Sequence, residues 1–343
     1  MSDGRETREE TLSDRGRAAT ISEVAALAGV STGTASKALN GRGSLRAETV
    51  ARVQQASDQL GFVANAAARS LQTGRTYTVG MITTDSIGRF SIPLLIGAED
   101  ALGAGQVSVF LCDARDDPIR EQYYLRTLLS RKVDGIIVTG RRTQARQPVG
   151  AGLPVPVVYA FISSADPHDC SVVPDEADGA RRAIRHLQAV GRQKIAHVTG
   201  PGHHHSARVR AAAAAECADL VAPTLYGRWS EAWGRQAAGI LLSTGADVDA
   251  VFCGSDQIAR GMAEALHEAG REIPRDVALV GFDNWDVMVD GCRPALTSID
   301  MDLEGIGRSA AELLLAAING DDVGGRRARP CRLVPRASTA VPA

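Results

Sequence analysis

From Tyr77 onward, short apolar segments alternate with amphipathic ones, and this alternation constrains the fold more than any other feature. Near-continuous apolar strands separated by amphipathic helices are typical of parallel sheets that carry helices on both faces. Because roughly 260 residues are long for one open sheet, we expect two doubly wound α/β lobes. The predicted strands are Thr78–Ile82, Val107–Cys112, Gly135–Val138, Val155–Ala160, Ile195–Thr199, Ala250–Cys253, Val277–Gly281 and Leu296–Ile299. In sheets of this kind ligands bind outside the carboxyl ends of the strands. The loops that qualify are 83–93, 159–164, 200–210, 254–257 and 282–286.

An all-α pattern precedes this alternation, between Thr20 and Leu39. Thr20 and Glu23 have the spacing of a capping box, in which each side chain bonds the amide of the other residue. Gly29 then ends the first helix, and Ser31 caps a second. Two short helices joined by a glycine-containing turn predict a helix-turn-helix for the DNA major groove, although an ordinary αα-corner has the same pattern.

A third helix is expected over Arg46–Leu60, where Ser44 is placed to cap it and Gly61 to end it. The apolar residues expected to form the core of this small domain are Val24, Leu27, Ala28, Val50, Val53 and Leu60. A fourth segment, Ala66–Thr73, has too few apolar residues to fold alone, and so short a helix is marginal in water. It therefore needs a partner.

Composition restricts the class of protein. Hydrophobic residues make up 44% and charged residues 23% of the chain, as in ordinary soluble globular proteins. The net charge of −2 argues against a chain that coats nucleic acid along its length, but the charges of residues 18–75 tilt basic and suit phosphate contacts. Residues 1–17 are almost without apolar side chains and are expected to be a disordered tail. No run reaches membrane-spanning length and no apolar signal core is present, so we expect a cytoplasmic protein.

Several segments together resemble the lactose-repressor (LacI/GalR) family of transcriptional regulators. The stretch from Thr20 to Ile82 looks like the amino-terminal module of that family. Each further match is weak alone, but their order and joint presence up to about Thr339 make the resemblance specific. These matches are Asp175–Gly179, Gly200–Pro201 with Ser206–Arg210, Trp229–Ser230, Ser255–Ala259 and Val280–Asp283.

The resemblance implies a helix-turn-helix head, a hinge helix, and a two-lobed α/β core similar to periplasmic sugar-binding proteins. The expected domains are a tail at 1–17, a helix-turn-helix domain at 18–63, a hinge helix at 64–75 and an effector-binding and dimerisation domain at 76–340. The amino lobe is expected at about 76–173 and 299–321, and the carboxyl lobe at about 174–297 and 322–340. The chain is expected to cross between lobes near Val173–Asp175, Thr297–Asp300 and Gly320–Gly324.

The resemblance also implies DNA-contacting residues. In this family two hinge helices pair across the dimer axis and wedge one leucine each into the minor groove, and Leu71 matches that leucine. The alternative is that Leu71 packs on the core. Base-reading positions fall on Thr32, Gly33 and Lys37, but Gly33 has no side chain with which to read a base edge. The expected DNA-binding residues are Thr20, Ser31, Thr32, Gly33, Thr34, Ser36, Lys37, Asn40, Asn65, Ala68, Arg69 and Leu71.

Effector-binding residues are implied in the same way. Arg210 and Asp283 match residues that hold ligand hydroxyls or carboxylates, and this pair of a donor fork and a two-oxygen acceptor suits a polyol. The alternatives are a solvated ion pair for Arg210 and a purely structural role for Trp229. Met301 and Leu303 replace residues of the lactose repressor, so a different ligand is expected. The expected residues are Asp85, Phe90, Pro93, Tyr159, Ser206, Arg210, Trp229, Ser255, Asp283 and Met301.

Catalytic and metal-binding patterns are weaker. Gly29–Gly33 matches the G-x-S-x-G elbow, but a helix and not a strand precedes its serine. The side chains of His203–His205 point apart because the residues are consecutive, and the six cysteines include no C-x-x-C pair. Asp256 and Asp283 could be a glycosidase pair, although nothing in the sequence raises either pKa. We expect no enzyme, no metal, no cofactor and free thiols.

The combined interpretation is a cytoplasmic, homodimeric repressor that binds a near-palindromic DNA operator and has no membrane partner. A small molecule, a sugar or oligosaccharide, would bind between the lobes and alter DNA affinity through the hinge helices. The segment Arg336–Ala343 lacks leucine heptads, so a dimer is expected and not a tetramer.

Leu71→Ala tests the implied wedge. The variant is expected to lose specific operator affinity strongly while it keeps its salt-sensitive affinity for random DNA, because only the bent complex uses the wedge. Titration of both DNAs by fluorescence anisotropy measures the two affinities. Equal losses on operator and random DNA would contradict the hinge assignment.

Overall fold

The computed structural model describes residues 19–39, 43–62, 74–103, 107–150, 152–245 and 247–340. The chain divides into two compact units, Met1–Thr76 and Tyr77–Ala343. The helices are α1 Ile21–Ala28, α2 Thr32–Leu39, α3 Ala47–Leu60, α4 Ser91–Leu102, α5 Pro118–Ser130, α6 Glu176–Ala189, α7 His205–Cys217, α8 Glu231–Ser243, α9 Asp256–Glu268, α10 Asp286–Val289 and α11 Leu303–Ile318. The strands are β1 Thr78–Thr83, β2 Ser108–Asp113, β3 Gly135–Val138, β4 Ala145–Arg146, β5 Val157–Ala160, β6 Ser163–Ser164, β7 Cys170–Pro174, β8 Ile195–Thr199, β9 Leu225–Tyr226, β10 Ala250–Cys253, β11 Ala278–Asp283, β12 Thr297–Asp300, β13 Arg326–Arg329 and β14 Arg332–Val334.

The first unit contains the predicted helix-turn-helix. The Thr20 amide donates to the Glu23 carboxylate at 2.6 Å, and the Thr20 hydroxyl accepts from the Glu23 amide, which is the predicted capping box. Gly29 ends α1 with a φ of 65°, a conformation that costs glycine little because it has no Cβ. The Ser31 hydroxyl then accepts from the Thr34 amide at 3.1 Å and caps the start of α2.

The core of this unit differs from the sequence expectation. Leu27, Val50 and Leu60 are 52%, 37% and 38% exposed and lie outside it. Because α1, α2 and α3 meet mainly through alanine, the larger side chains stay at the margin of the packed face. Arg46, and not Ser44, precedes α3, and its side chain makes no capping hydrogen bond. The buried residues are Val24, Ala25, Ala28, Ala35, Ala38, Val53 and Ala56. The expected tail and the segment Ala66–Thr73 lie outside the described residues.

The second unit consists of two α/β lobes, each built on a six-stranded sheet. The amino-lobe sheet has the order β13-β7-β5-β3-β1-β2, and all neighbouring strands are parallel. The carboxyl-lobe sheet has the order β14-β12-β11-β10-β8-β9 and is parallel except between β12 and β14. This is the predicted pair of doubly wound lobes. Within the described ranges, no helix has the length and apolarity needed to span a membrane.

The chain crosses between the lobes three times, and one expected crossing was wrong. The first crossing falls between β7 and α6, and the second between β12 and α11. The third was expected at Gly320–Gly324, with 322–340 in the carboxyl lobe. Instead β13 still pairs with β7 in the amino-lobe sheet, so the crossing falls at 330–331. The glycine-rich turn resembles a linker, whereas the strand after it reads RRAR and has no apolar signal.

Close helix packing in both lobes depends on glycine. A Cβ at Gly97 of α4 would lie 1.9 Å from the Glu304 carbonyl oxygen of α11, and one at Gly307 would lie 2.0 Å from that of Leu94. In the carboxyl lobe a Cβ at Gly261 of α9 would lie 1.9 Å from the Glu231 carbonyl oxygen of α8. Each helix pair therefore packs backbone against backbone, which fixes the framework that holds the loops between the lobes.

Candidate ligand cleft and helix-turn-helix surface

A cavity of about 300 Å³ lies between the lobes of the second unit. The segments that follow β1, β3, β5, β8, β9, β10 and β11 form it, which is where a doubly wound sheet is expected to bind a ligand. The lining residues from the amino lobe are Asp85, Ile87, Arg89, Phe90, Arg141, Arg142, Gln144 and Phe161. Those from the carboxyl lobe are His204, His205, Ser206, Arg210, Trp229, Ser255, Gln257, Asp283 and Trp285.

Arg89 spans the cavity from the amino lobe to the carboxyl lobe. Its Nη2 forms an ion pair with Asp283 Oδ2, and its Nη1 donates to Gln257 Oε1 at 3.0 Å. The guanidinium carbon also lies 4.9 Å from the ring centre of Phe90 and 4.6 Å from that of Trp285. The side chains of Arg89 and Asp283 are only 12% and 8% exposed, so water screens this pair weakly.

The lobes also meet through Thr143. Its hydroxyl donates to Glu176 Oε2 at 2.7 Å and lies 2.9 Å from the Ser206 hydroxyl. Thr143 follows β3 of the amino lobe, whereas Glu176 begins α6 of the carboxyl lobe. Hydrogen bonds between side chains therefore join the lobes at two places around the cavity.

Arg210 lies against the cavity, but other protein groups use most of its donors. Its Nε and Nη2 donate to Glu176 Oε1 at 3.1 and 2.6 Å, and its Nη1 donates to the Gly254 carbonyl at 2.5 Å. It also lies 3.7 Å from Asp283 Oδ1 and stacks on the Phe282 ring. The side chain is 5% exposed, so the solvated surface ion pair considered from the sequence is wrong. Its contact with a ligand stays a prediction.

Other expected cleft residues also have internal partners. Asp85 Oδ2 accepts from the Phe90 amide at 2.7 Å and the Ser91 amide at 3.0 Å, which fixes the loop before α4. The Ser255 hydroxyl caps α9. The indole ring of Trp229 packs against Gly200, where a Cβ would lie 2.1 Å from the ring, and its Nε1 donates to His204 Nδ1 at 2.8 Å.

The lining includes most of the residues expected to bind an effector, but three do not lie on it. Pro93 lines an adjoining cavity of about 100 Å³. Tyr159 is buried, and its hydroxyl accepts from the Val149 amide at 3.0 Å, so it belongs to the amino-lobe core. Met301 is also buried, and only its sulfur approaches Arg210, at 3.9 Å. Those on the lining are Asp85, Phe90, Ser206, Arg210, Trp229, Ser255 and Asp283.

Sequence reasoning did not assign several lining residues. Most of them stand in loops that were expected to face a ligand, so only their side-chain directions were missing. The exception is the loop after β3, which the position of that predicted strand could have indicated. The missed residues are Ile87, Arg89, Arg141, Arg142, Gln144, Phe161, His204, His205, Gln257 and Trp285.

Asp256 lies behind the cavity and not on its surface. It is fully buried, its Oδ2 accepts from the Trp285 amide at 2.8 Å, and its Oδ1 is 2.5 Å from the Ser298 hydroxyl. Burial, and secondarily the charge of Asp283, raise the pKa of Asp256 to about 8. Burial also raises the pKa of Asp283, while Arg89 and Arg210 oppose this by favouring its ionised form. Of the two carboxyl groups, Asp256 therefore holds the proton near neutral pH.

The second helix of the helix-turn-helix presents a polar face to solvent. Thr32, Gly33 and Lys37 are exposed, and Ser36 is half-buried beside them. Ala35 and Ala38 lie on the buried face. Thr34 is half-buried, and its hydroxyl lies 2.9 Å from that of Ser31, so these two stabilise the helix start. Four other expected DNA contacts, Asn65, Ala68, Arg69 and Leu71, lie outside the described residues, as does Asn40.

Comparisons with known proteins agree with both parts of this architecture. Residues 20–65 match the family model described as bacterial regulatory proteins, lacI family, and residues 184–339 match that of a periplasmic binding protein-like domain. The chain is 31% identical over 308 residues to the ribose operon repressor of Escherichia coli, which covers 88% of this chain and 93% of the relative. It is also 30% identical over 314 residues to the HTH-type transcriptional regulator PtxS of Pseudomonas putida. That match covers 90% of this chain and 92% of the relative.

Solved structures give the same picture. The lac repressor dimer bound to operator and the anti-inducer ONPF superposes with a TM-score of 0.74 at 26% identity, covering 95% of this chain and 100% of that one. A complex of the transcriptional regulator CelR with cellobiose superposes with a TM-score of 0.64 at 28% identity. That superposition covers 93% of this chain and 99% of the CelR chain.

Asp256→Asn tests the buried proton. In the folded wild-type protein Asp256 keeps a proton up to about pH 8, whereas in the unfolded chain it releases that proton above pH ~4. The unfolding free energy therefore falls as pH rises from about 4 to about 8, by up to about 1.4 kcal/mol per pH unit. Asparagine cannot ionise, and its amide can bond both Trp285 and Ser298. Urea unfolding across this pH range is expected to show a flatter pH slope for the variant than for wild type. An unchanged slope would contradict the assignment, and Asp219→Asn, at an exposed aspartate, is the control.

Proposed function

Because this chain belongs to the lacI family of bacterial regulatory proteins, we propose a specific mode of action for it: a homodimeric repressor whose operator affinity is set by a small molecule between its lobes. The chain is a DNA-binding transcriptional regulator and not an enzyme. The observation that carries the proposal is the cavity between two lobes that Arg89 bridges, in a chain that also has a helix-turn-helix.

The exposed face of α2 supports the DNA-binding half of the proposal. Thr32, Ser36 and Lys37 would reach the major groove, while Ser31 and the N-terminus of α1 at Thr20 would contact phosphates. Gly33 between them would allow close approach to the DNA without reading a base itself. The expected hinge residues, including Leu71, would complete the contact in the minor groove.

Exposed apolar side chains on the amino lobe support a homodimer. Strand β2 is an edge of its sheet, and its Phe110 and Leu111 are 43% and 40% exposed. On α4, Ile92 and Ile96 are also exposed. Burying such side chains against a second copy is favourable because apolar surface leaves water. A two-fold dimer would present two heads to the two halves of a near-palindromic operator. The similar lac repressor also binds its operator as a dimer.

The arrangement of the cleft supports control by a ligand. A molecule in the cavity would contact both lobes at once, so its affinity would depend on their relative orientation. By linkage, a ligand that prefers one orientation changes the population of that orientation and with it the affinity for DNA. We assign this regulator to the cytoplasm, where a chromosomal operator and a small metabolite are both accessible.

Lys37→Gln tests the proposed DNA-reading face. An operator is first selected from random DNA with the wild-type protein, and a near-palindromic sequence is the expected result. If Lys37 donates to guanine, the variant is expected to lose about 1–3 kcal/mol on the operator and to discriminate less at one base pair. If it contacts phosphate, affinity falls on all sequences and the slope of log K against log salt decreases by about 1.

Lys132→Gln is the matched control, because it removes the same charge from the second unit. It is expected to bind DNA like wild type. Wild-type affinity of Lys37→Gln for every DNA, or failure of the wild-type protein to select any sequence, would contradict the proposed function.

A further inference from the structure

The ionic groups that line the cleft are mostly cationic. Asp85 and Asp283 are its carboxylates, whereas four arginines line it. The two carboxylates are already engaged as acceptors. Asp85 accepts from the amides of Phe90 and Ser91, and Asp283 lies between the guanidinium groups of Arg89 and Arg210. One oxygen of each carboxylate is therefore already held by protein donors, which reduces the acceptors left for the hydroxyl groups of a neutral sugar.

On the amino-lobe side of the cleft, several guanidinium N–H groups are not used, or are used only weakly, by the described part of the protein. Arg142 is exposed at the cavity, and across the described ranges its guanidinium makes no hydrogen bond or ion pair. Arg89 Nε is buried without a hydrogen-bond partner among the same residues. Arg141, beside Arg142, has only the exposed carboxylate of Asp116 at 3.0 Å. The unused hydrogen-bonding capacity of the cleft thus consists largely of guanidinium N–H groups, which suit an anion with several acceptor oxygens.

The electrostatic potential around His204 is positive, as expected from an excess of arginines in the cleft. Burial lowers the pKa of His204, and the nearby Arg142, His203 and Arg141 lower it further, because a positive potential disfavours another cation. Arg142 also lines an adjoining depression of about 240 Å³, so a charged group held there stays in contact with water. It would not pay the full desolvation cost of a deeply buried ion.

The size and the aromatic lining limit the rest of the ligand. A cavity of about 300 Å³ lies at the lower end of the range for small-molecule sites, which suits a single sugar-sized skeleton better than an oligosaccharide. Trp229 and Phe161 offer apolar surfaces for such a skeleton.

We propose, building on the proposed function, that the effector is an anionic, monosaccharide-sized molecule whose carboxylate or phosphate faces Arg142 and Arg89. Its oxygens accept from the Arg142 guanidinium and from Arg89 Nε, which have no hydrogen-bond partner among the described residues. The remainder of the molecule lies over Trp229 toward Asp283 of the carboxyl lobe. The negative group also competes with Asp283 for Arg89, which links occupancy of the cleft to the contact between the lobes.

Matched ligands provide the test. For each of glucose, galactose, ribose and xylose, the neutral sugar is compared with its aldonic acid and its terminal phosphate ester. The melting temperature of the full-length protein and its affinity for the selected operator are measured with each compound. At least one anionic compound is expected to raise the melting temperature and change operator affinity, while its parent sugar does neither. Comparison of the aldonic acids with the phosphate esters shows whether the protein recognises a carboxylate or a phosphate.

Two variants connect this effect to the proposed residues. Arg142→Gln is expected to weaken the apparent affinity for the active anion about tenfold, as for loss of one charge-assisted hydrogen bond. Its melting temperature without ligand should equal that of wild type, because the side chain is exposed. Arg185→Gln, at an exposed arginine of α6 outside the cleft, should bind the anion like wild type. The wild-type effect should also weaken as salt rises.

Three results would overturn the anionic assignment: equal effects of a neutral sugar and its acid or ester, unchanged affinity in Arg142→Gln, or no response to any anionic compound. Control by a neutral sugar alone would leave the proposed function intact while removing this inference. Operator selection without ligand tests the proposed function separately, so failure there can be told apart from failure here.

Discussion

The carboxylate of Asp283 is the group on which the arrangement of the cleft depends. It ends β11 of the carboxyl lobe at a φ of 108°, a strained conformation at the point where the chain leaves the sheet. Its Oδ2 pairs with Arg89, and its Oδ1 lies 3.7 Å from Arg210, which also donates to Glu176 and Gly254. One buried charge thus links a cross-lobe contact to the buried framework of the carboxyl lobe.

A buried charge network of this kind is sensitive to what enters it. Leaving one member without its partner is costly, because an unpaired ion loses hydration without compensation. A ligand that takes over Arg89 must therefore leave Asp283 with Arg210 or supply donors of its own. Polar contacts, Arg89 to Asp283 and Thr143 to Glu176, join the lobes around the cavity. Under the proposed function, these contacts would make the lobes sensitive to the chemistry of a ligand.

Local patterns predicted most of the fold, and they failed where tertiary context decides. The capping box of Thr20 and the apolar strand cores have signals within a few residues, and both were confirmed. Strand β13 has the sequence RRAR and is specified only by pairing with β7. For the cleft, the loops were predictable from the doubly wound topology, whereas side-chain direction was not. Tyr159 lies near the end of the expected strand but points into the core, and Arg89 reaches a residue nearly two hundred positions away.

The central claim is that Arg89 and Asp283 are energetically coupled across the lobes. A double-mutant cycle of Arg89→Gln and Asp283→Asn, measured as urea unfolding free energies, tests it most directly. We predict that the two losses are not additive, with an interaction energy of at least about 0.5 kcal/mol, as found for residues that share an ion pair. Losses that add within experimental error would show that the two side chains are neighbours without coupling, and would contradict this account of how the lobes are joined.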